Sequence, residues 1–403
     1  MYKRIMVPVD NSDYSRFAVD AAAELAEHFD SYVCGTHVYA SRLHDRAFRR
    51  MEEGLPEQYQ EENELQRQRK VHDSLIDKGL VLISESMLTD LQEKAKALNL
   101  KAETKVLEGK NFSVLLKDTE ESEYDLVAMG ALGLGKVKRS TIGSVCDRVC
   151  KDASLDILVL KKPMSFDGAK VICAIDGSPN SYSALRRCLT MAKEFGAQIT
   201  AVHVFDPAFH TVAFKSISEV LTDEAAKVFK FEEQQKLHDE IIDNGLKRVG
   251  ERHLERAKSI AAEEGIDIET VILAGKPFDR IIDLVDERGA DIVVAGRYGT
   301  HRAPDTKIGS HTYNILLSAS CNVLIVTKID EDLEKLEFHG SAVDASKTAK
   351  QIAWSQEAEA RLNNIPAFVR NMVRKSIEEY AVGKGCDLID ENIMNEARGR
   401  MGM

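Results

Sequence analysis

Two stretches of this chain have the residue types and the spacing to hold phosphate. The first is GALGLGKVKRSTIGS, residues 130–144, and the second is GRYGTHRAPDTKIGS, residues 296–310. Both satisfy G-x2-G-x9-G-S, with Gly130, Gly133, Gly143 and Ser144 in one and Gly296, Gly299, Gly309 and Ser310 in the other. Glycines let a backbone approach a ligand and adopt positive φ. A Gly-Ser pair that opens a helix offers unpaired N–H groups and the positive end of the helix dipole to an anion. The serine hydroxyl adds a hydrogen bond. Lys136, Lys138 and Arg139 in one loop, and Arg297, Arg302 and Lys307 in the other, bring compensating charge. One such loop would be read first as a glycine-rich turn; two complete copies favour phosphate or nucleotide. GALGLGKV also nearly forms a Walker A motif. That reading fails, because Val137 lacks the hydroxyl that would hold Mg²⁺ and the second loop has no lysine at the matching place.

The elements that position these loops are themselves duplicated. HDSLIDKGL (residues 72–80) and HDEIIDNGL (238–246) start 166 residues apart, and the same offset lays KRIMVPVDNS over AKVICAIDGS, His37-Val38 over His203-Val204, and YDLVAMGALG over ADIVVAGRYG. A fixed offset over several landmarks is a tandem duplication. Within each copy, apolar β-rich runs (4–9, 32–39, 101–107, 124–129 and 156–160; 171–175, 198–204, 267–273, 291–295 and 322–326) alternate with amphipathic helical segments. Such alternation predicts an α/β fold, a parallel sheet covered on both faces. Ligands then bind beyond the carboxyl ends of the strands, where the strand order switches. The loops after the fourth strand of each copy belong there.

Both copies resemble universal stress protein domains, whose nucleotide-binding members carry G-x2-G-x9-G-[ST] after the fourth strand. The resemblance covers residues 1–329. It implies two Rossmann-like domains of the adenine nucleotide alpha hydrolase type, at 1–163 and 168–329, binding ATP, ADP or AMP, with Mg²⁺ as an accompanying ion. It further implies that an aspartate after the first strand contacts the nucleoside and that a residue ending the second strand packs near adenine. Those positions are Asp10 and Val38 in the first copy, Asp176 and Val204 in the second. Universal stress domains commonly pair through their last strand, which here predicts a pseudo-dimer joining DILVL (156–160) to NVLIV (322–326). The second copy departs from the pattern where Pro304 and Asp305 interrupt the basic run.

Other candidates carry less. Asp73 and Asp77 share a helix face, as do Asp239 and Asp243, and each phrase reaches a glycine suited to ending a helix. His72 and His238 do not share that face with the adjacent Asp, so packing between the halves, or a lid, is preferred to a metal site. Cys146 and Cys150 lie one helical turn apart and read as buried apolar residues before a redox pair. His311 follows Ser310 and reads equally as a phosphate contact or a solvated side chain. No Ser-His-Asp set or zinc spacing occurs, so the expectation is binding without catalysis, with a slow ATPase or phosphotransferase as the enzymatic rival. The 403 residues carry a formal charge of −12, which argues against nucleic-acid and anionic-membrane partners. With seven scattered cysteines and no apolar run long enough for a signal peptide or membrane span, a cytoplasmic protein is expected.

Residues 330–353 read as a charged linker. From Trp354, the only tryptophan, to residue 403 the pattern is a small all-α module, with Pro366 near a helix start, an apolar stripe of Ile365, Phe368, Val369, Met372, Val373 and Ile377, stops at Gly383 and Gly385, and Asp390 capping a last helix. IPAFVR, IEEYA and MNEAR resemble the C-terminal domain of the light-independent protochlorophyllide reductase B-type subunit. That resemblance implies a helical docking or tetrapyrrole-adjacent module, without reductase activity. The competing reading is an interaction tail for an unknown protein partner or a second protomer, with Arg361, Arg370 and Arg374 flanking the stripe.

Overall fold

The computed structural model describes residues 1–207, 243–300, 302, 305–334, 353–363 and 388–401, with 370, 374, 377–378, 380–381, 384 and 386; the side chains of some helical residues among these (42–45, 47, 73–75, 77, 243–244, 334, 360, 363 and 398–401) lie outside the described set. The first copy runs β1 (Arg4–Pro8), α1 (Asp13–Phe29), β2 (Tyr32–Tyr39), α2 (Ser41–Glu52), α3 (Glu62–Met87), α4 (Thr89–Ala97), β3 (Lys101–Glu108), α5 (Asn111–Glu121), β4 (Leu126–Gly130), α6 (Ser144–Asp152) and β5 (Asp156–Leu160). The second runs β6 (Lys170–Ala174), α7 (Pro179–Phe195), β7 (Gln198–Phe205), α8 (Asp243–Glu263), β8 (Glu269–Ala274), α9 (Pro277–Arg288), β9 (Ile292–Gly296), α10 (Ser310–Ser318) and β10 (Asn322–Val326).

Ten strands form one sheet in the order β3-β2-β1-β4-β5-β10-β9-β6-β7-β8, a sequence that reads the same from either edge. Every neighbouring pair is parallel except β5 and β10, which run antiparallel with Val159 opposite Val323 and Ile157 opposite Ile325. The expected pairing of the last strands is therefore present within one chain. Two side-chain clamps hold its register. Asp156 Oδ1 accepts from the backbone N–H groups of Thr327 (2.8 Å) and Lys328 (3.1 Å), and Asn322 Oδ1 accepts from those of Lys161 (2.8 Å) and Lys162 (3.1 Å).

Side chains of a strand alternate between faces, and both faces here are buried. Ile5, Val7, Leu158, Leu160, Leu324 and Val326 point into a core shared with α1, α4, α7 and α8. Met6, Ile157, Val159, Val323 and Ile325 point the other way, against α5, α6, α9 and α10. Both cores cross the boundary between copies, so the two halves share their apolar interior. In each half the strand order reverses at the first and fourth strands, β1/β4 and β6/β9, and the glycine loops leave from there.

The repeated His-Asp phrase lies within α3 in the first copy, and α3 continues through Gly79 to Met87 instead of ending at the glycine. Gly245 likewise lies inside α8. A glycine weakens a helix without stopping it where neighbouring elements supply packing. His72 stacks on Phe48 of α2 with ring centroids 3.9 Å apart. The side chains of Asp73, Asp77 and Asp243 lie outside the described residues, as do His238 and Asp239 altogether.

The segment expected as a linker opens with a short helix, Glu331–Glu334, anchored on α7: Leu333 is buried, Arg187 pairs with Asp330 at 3.2 Å, and Arg186 pairs with Asp332. The C-terminal residues belong to a second compact unit. Its core holds Ala358, Leu362, Ile377, Ala381, Ile389, Met394 and Ala397, and Asp390 caps the last helix, Glu391–Met401, by accepting from Ile393 N–H at 2.9 Å. One feature departs from the all-α expectation. Ala353–Trp354 pairs in parallel with Leu388–Ile389, a two-residue ladder that ties the start of the module to its last helix. Arg374 pairs with Glu359 inside the module and lies over the Trp354 ring. Pro366, Ile365, Phe368, Val369, Met372, Val373, Gly383 and Gly385 lie outside the described residues.

Candidate functional site

Each glycine loop is tied to the turn after its half's first strand. That turn bends through a left-handed residue, Asn11 (φ 57°) in one copy and Gly177 (φ 86°) in the other. It aims Asp10 so that Oδ1 accepts from Ser12 N–H and Oδ2 from Leu134 N–H, both at 3.1 Å. Asp176 repeats this with Ser178 N–H (3.0 Å) and Thr300 N–H (3.2 Å). The two aspartates therefore act as latches, fastening the loop to the end of the first strand.

The latch explains the second glycine of the motif. A Cβ on Gly133 would lie 2.4 Å from Asp10 Oδ2, and one on Gly299 would lie 2.6 Å from Asp176 Oδ2. The first glycine is set by backbone packing, since a Cβ on Gly130 would lie 2.6 Å from the carbonyl carbon of Tyr14 on α1. None of the six motif glycines has a positive φ. The expectation of left-handed turns is corrected: close approach to the protein's own atoms bars a side chain at Gly130, Gly133, Gly296 and Gly299 and crowds one at Gly143 and Gly309. Gly143 N–H closes the loop on Ala131 C=O at 2.7 Å, and Gly309 closes its twin on Arg297 C=O at 2.8 Å. Ser144 and Ser310 each start a helix, with Gly143 and Gly309 as N-caps, as the Gly-Ser spacing predicts.

In the first half these parts surround a cleft of about 460 Å³. Val9, Val38, Leu115 and Met129 supply an apolar wall, while the loop backbone, Ser144 and Lys136 supply a polar one. Val38 is buried. Lys136 Nζ sits 4.9 Å from the centre of the Tyr14 ring, and Lys138 and Arg139 are exposed. His37 also lines the cleft. Its Nδ1 is 2.6 Å from Val9 C=O, so that nitrogen carries the proton and binds β2 to the turn bearing Asp10. His203 Nδ1 repeats the bond to Ile175 C=O at 2.7 Å. The sequence displays this histidine pair as a repeat landmark, with nothing to mark it as part of a site.

The second half is built differently. Arg297 is 1% exposed, and its guanidinium lies between its own loop and the first half. Its Nη1 donates to Cys150 C=O (2.7 Å) and Lys151 C=O (3.2 Å) in the first half, and its Nε to Thr327 Oγ1 (2.8 Å). Lys307 reaches Asp152 of the first half at 2.5 Å, and Arg302 lies 3.8 Å over the Tyr298 ring. The expectation that all three neutralise phosphate is corrected: two of them neutralise the end of α6. Asp305 is exposed, and Pro304 lies outside the described residues. His253 packs on the Gly177 turn, where a Cβ would meet its ring, and lies 5.4 Å from the His203 ring. Burial holds His203 and His253 below the usual histidine pKa, with Asp176 pulling each the other way. Val204 is partly buried at the end of β7, and His311 is exposed, 6.2 Å from Phe278.

The family model described as the universal stress protein family matches residues 1–161 and again 169–327. The chain belongs to the universal stress protein family. A universal stress protein of Bacillus subtilis is 30% identical over 161 residues, which is 39% of this chain and 97% of that protein. Among solved structures, a universal stress protein of Archaeoglobus fulgidus superposes with a TM-score of 0.51 at 18% identity, covering 80% of this chain and 97% of that one. A putative universal stress protein of Pseudomonas aeruginosa gives 0.52 at 12% identity, covering 83% and 95%. At those identities the likeness concerns the fold.

Residues 354–398 match a second model, described as the proto-chlorophyllide reductase 57 kD subunit. The B-type subunit of the light-independent protochlorophyllide reductase of Chlamydomonas reinhardtii is 42% identical over 53 residues, 13% of this chain and 8% of that protein. The tail thus spans a small part of that reductase component.

Cys146 and Cys150 are buried with sulfurs 3.9 Å apart, and the Cys146 thiol is pushed well up by its hydrogen bond to Cys150 and by burial. A thiol held protonated is a poor nucleophile, in keeping with packing. Among the described residues no group of three or more His, Cys, Asp and Glu side chains is gathered for a metal, and no helix is long and apolar enough to cross a membrane.

Proposed function

We propose that this universal stress protein binds an adenine nucleotide in its first half and acts as a regulatory, stress-responsive factor. One observation carries the reading. The first-half cleft joins an apolar wall at Val38 and Met129 to a helix N-terminus at Ser144, with Lys136 on the same rim. An apolar slot beside a cationic phosphate cradle matches the two ends of a nucleotide. The adenine packs on Val38, the phosphates meet the loop backbone, Gly143 and Ser144, and Lys136, Lys138 and Arg139 balance their charge. ATP, ADP and AMP share these features. Mg²⁺ would arrive with the phosphates, since Asp10 already spends both carboxylate oxygens on backbone N–H groups.

The second half keeps the latch and the glycines at Gly296, Gly299, Gly309 and Ser310 but has committed Arg297 and Lys307 elsewhere, so it binds more weakly. ATP then works as a conformational ligand, favouring whichever arrangement binds it better. Mass spectrometry of molecules released from freshly purified protein tests the reading, with an adenine nucleotide as the expected result. Isothermal titration with ATP should give a clear isotherm that Gly143→Val abolishes in a folded variant. An unchanged isotherm in that variant would overturn the site assignment.

Two further readings remain testable. Slow ATP hydrolysis or phosphate transfer predicts turnover above that of Gly143→Val. An adaptor for a tetrapyrrole or redox enzyme, suggested by the tail, predicts either a visible absorbance band in the purified protein or capture of such an enzyme through residues 354–403.

A further inference from the structure

Helix α6 has nine residues, so its two ends lie roughly 13 Å apart. Its N-terminus forms the phosphate end of the first-half cleft, and its C-terminus is held by the other half. Arg297 Nη1 donates to the carbonyls of Cys150 and Lys151 and Lys307 Nζ pairs with Asp152, while Tyr313 Oη donates at 2.8 Å to Asp147 in the first turn of the same helix. All three residues come from the second glycine loop or the first turn of the helix it opens. A cation on the last carbonyls of a helix strengthens the dipole whose positive end receives the anion.

Arg297 is joined just as firmly to its own loop. It directly follows Gly296. Its N–H donates to Val326 C=O at 2.7 Å, its C=O accepts from Gly309 N–H at 2.8 Å, and its Nη1 also donates to Lys307 C=O at 3.1 Å. A shift of the loop backbone around a ligand must therefore move the guanidinium or break these bonds. At the matching position the first half has Ala131, which makes the same two backbone bonds, to Leu160 C=O and from Gly143 N–H, and has no side chain to extend. The end of α10 is held instead by Lys161, whose Nζ donates to Ala319 C=O at 2.6 Å from the exit of β5, outside any glycine loop. Among the described residues the connection from loop to opposite helix thus runs from the second loop to α6, with no counterpart from the first loop to α10.

We propose that Arg297 couples the two glycine loops, so that a phosphate-bearing ligand on the second loop changes the affinity of the first site through α6. The coupling rests on the nucleotide reading above, and linkage makes it reciprocal even though the contact, led by Arg297, reaches α6 from the second loop. Arg297 is a positioning residue, because it touches the helix and not the ligand.

The test uses the full chain in two arms. In the first, without nucleotide, hydrogen exchange is followed in Arg297→Lys, which keeps the charge but loses the fork across two carbonyls. Amides of α6 should exchange about tenfold faster while those of α1 stay unchanged, since local opening reports local support. Because altering a buried guanidinium can unfold the pair of halves, Lys307→Ala is run alongside; it loses only the exposed end of the contact and should show a smaller change of the same sign. Unchanged exchange in both variants would overturn the proposal. In the second arm, ATP affinity is measured in the wild type, Gly309→Val, Arg297→Lys and the double variant. Gly309→Val should weaken first-site binding about fivefold in the wild-type background and leave it unaltered beside Arg297→Lys, within the usual range of coupling between sites. Equal effects in both backgrounds would refute the coupling while leaving the nucleotide reading intact. A wild-type chain that takes up no ATP would refute that reading, and ligand coupling with it, even where exchange upholds the support of α6.

Discussion

Tyr313 and Asp147 occupy the same place in the two halves, 166 residues apart, and are hydrogen-bonded to one another at 2.8 Å. His28 and Glu194 repeat the relationship at 3.0 Å with the same separation. A residue on a two-fold axis would otherwise face its own copy, and two aspartates or two glutamates there would repel. Joining the halves in one chain lets the two positions differ and attract. Tyr313→Phe should lower stability by about 1 kcal/mol, the worth of one partly buried hydrogen bond, read as a drop in the urea midpoint with an unchanged slope. Asp147→Tyr should cost more, and adding Tyr313→Asp should restore part of the loss, because the carboxylate then lies across the axis beside Lys151. No recovery in the double variant would show that the positions are not interchangeable.

Gly133→Ala tests the latch. Its Cβ would fall 2.4 Å from Asp10 Oδ2, so the carboxylate must leave Leu134 N–H or the loop must lift. ATP affinity should fall about tenfold or more, with a stability loss of about 1 kcal/mol, the typical value for a point substitution. Wild-type affinity in the folded variant would show that the cleft tolerates an open latch.

Stability should fall as pH falls below the usual histidine value of 6.5. Burial holds His203 and His253 below that value in the folded state. The unfolded chain therefore binds more protons in this window, and stability rises with pH across it. The contribution is complete above 6.5 and is lost progressively toward acid. The urea midpoint should be lower at pH 5.5 than at pH 7.5, and His203→Gln with His253→Gln should shrink the difference. An undiminished difference would assign it to other groups.

Deleting the chain after Ile352 should leave the ATP isotherm unchanged, because the tail has its own core of Leu362, Ile377, Ile389 and Met394. Oligomeric mass or partner capture should change instead. Lost ATP binding with unaltered assembly would reverse the assignment of the tail.

The sheet was legible because both its faces are buried, which leaves apolar runs such as DILVL and NVLIV between helical patterns. The duplication then doubled every signal, including the glycine spacing that places the cleft. What escaped depended on contacts between halves or on very short elements. Arg297 reads as a phosphate ligand from its place in the loop, and only the packing of the other half shows its guanidinium on the carbonyls of α6. Gly79 reads as a helix stop, yet tertiary packing carries α3 past it. The ladder between Trp354 and Ile389 has two residues per strand, too few for any periodicity. Asp10 and Asp176 were visible as conspicuous residues, but their role in fastening the loops needed the register of β1 against β4.

The antiparallel seam between β5 and β10 has a consequence for regulation by assembly. A pair of separate subunits dissociates on dilution, and a cell can adjust it through protein abundance. Here the partners share one polypeptide, so each meets the other at a fixed effective concentration whatever the amount of protein. Mass action is removed as a control over this interface. Any signal that alters the relation between the halves must act within the molecule, through a ligand, a covalent change or a partner.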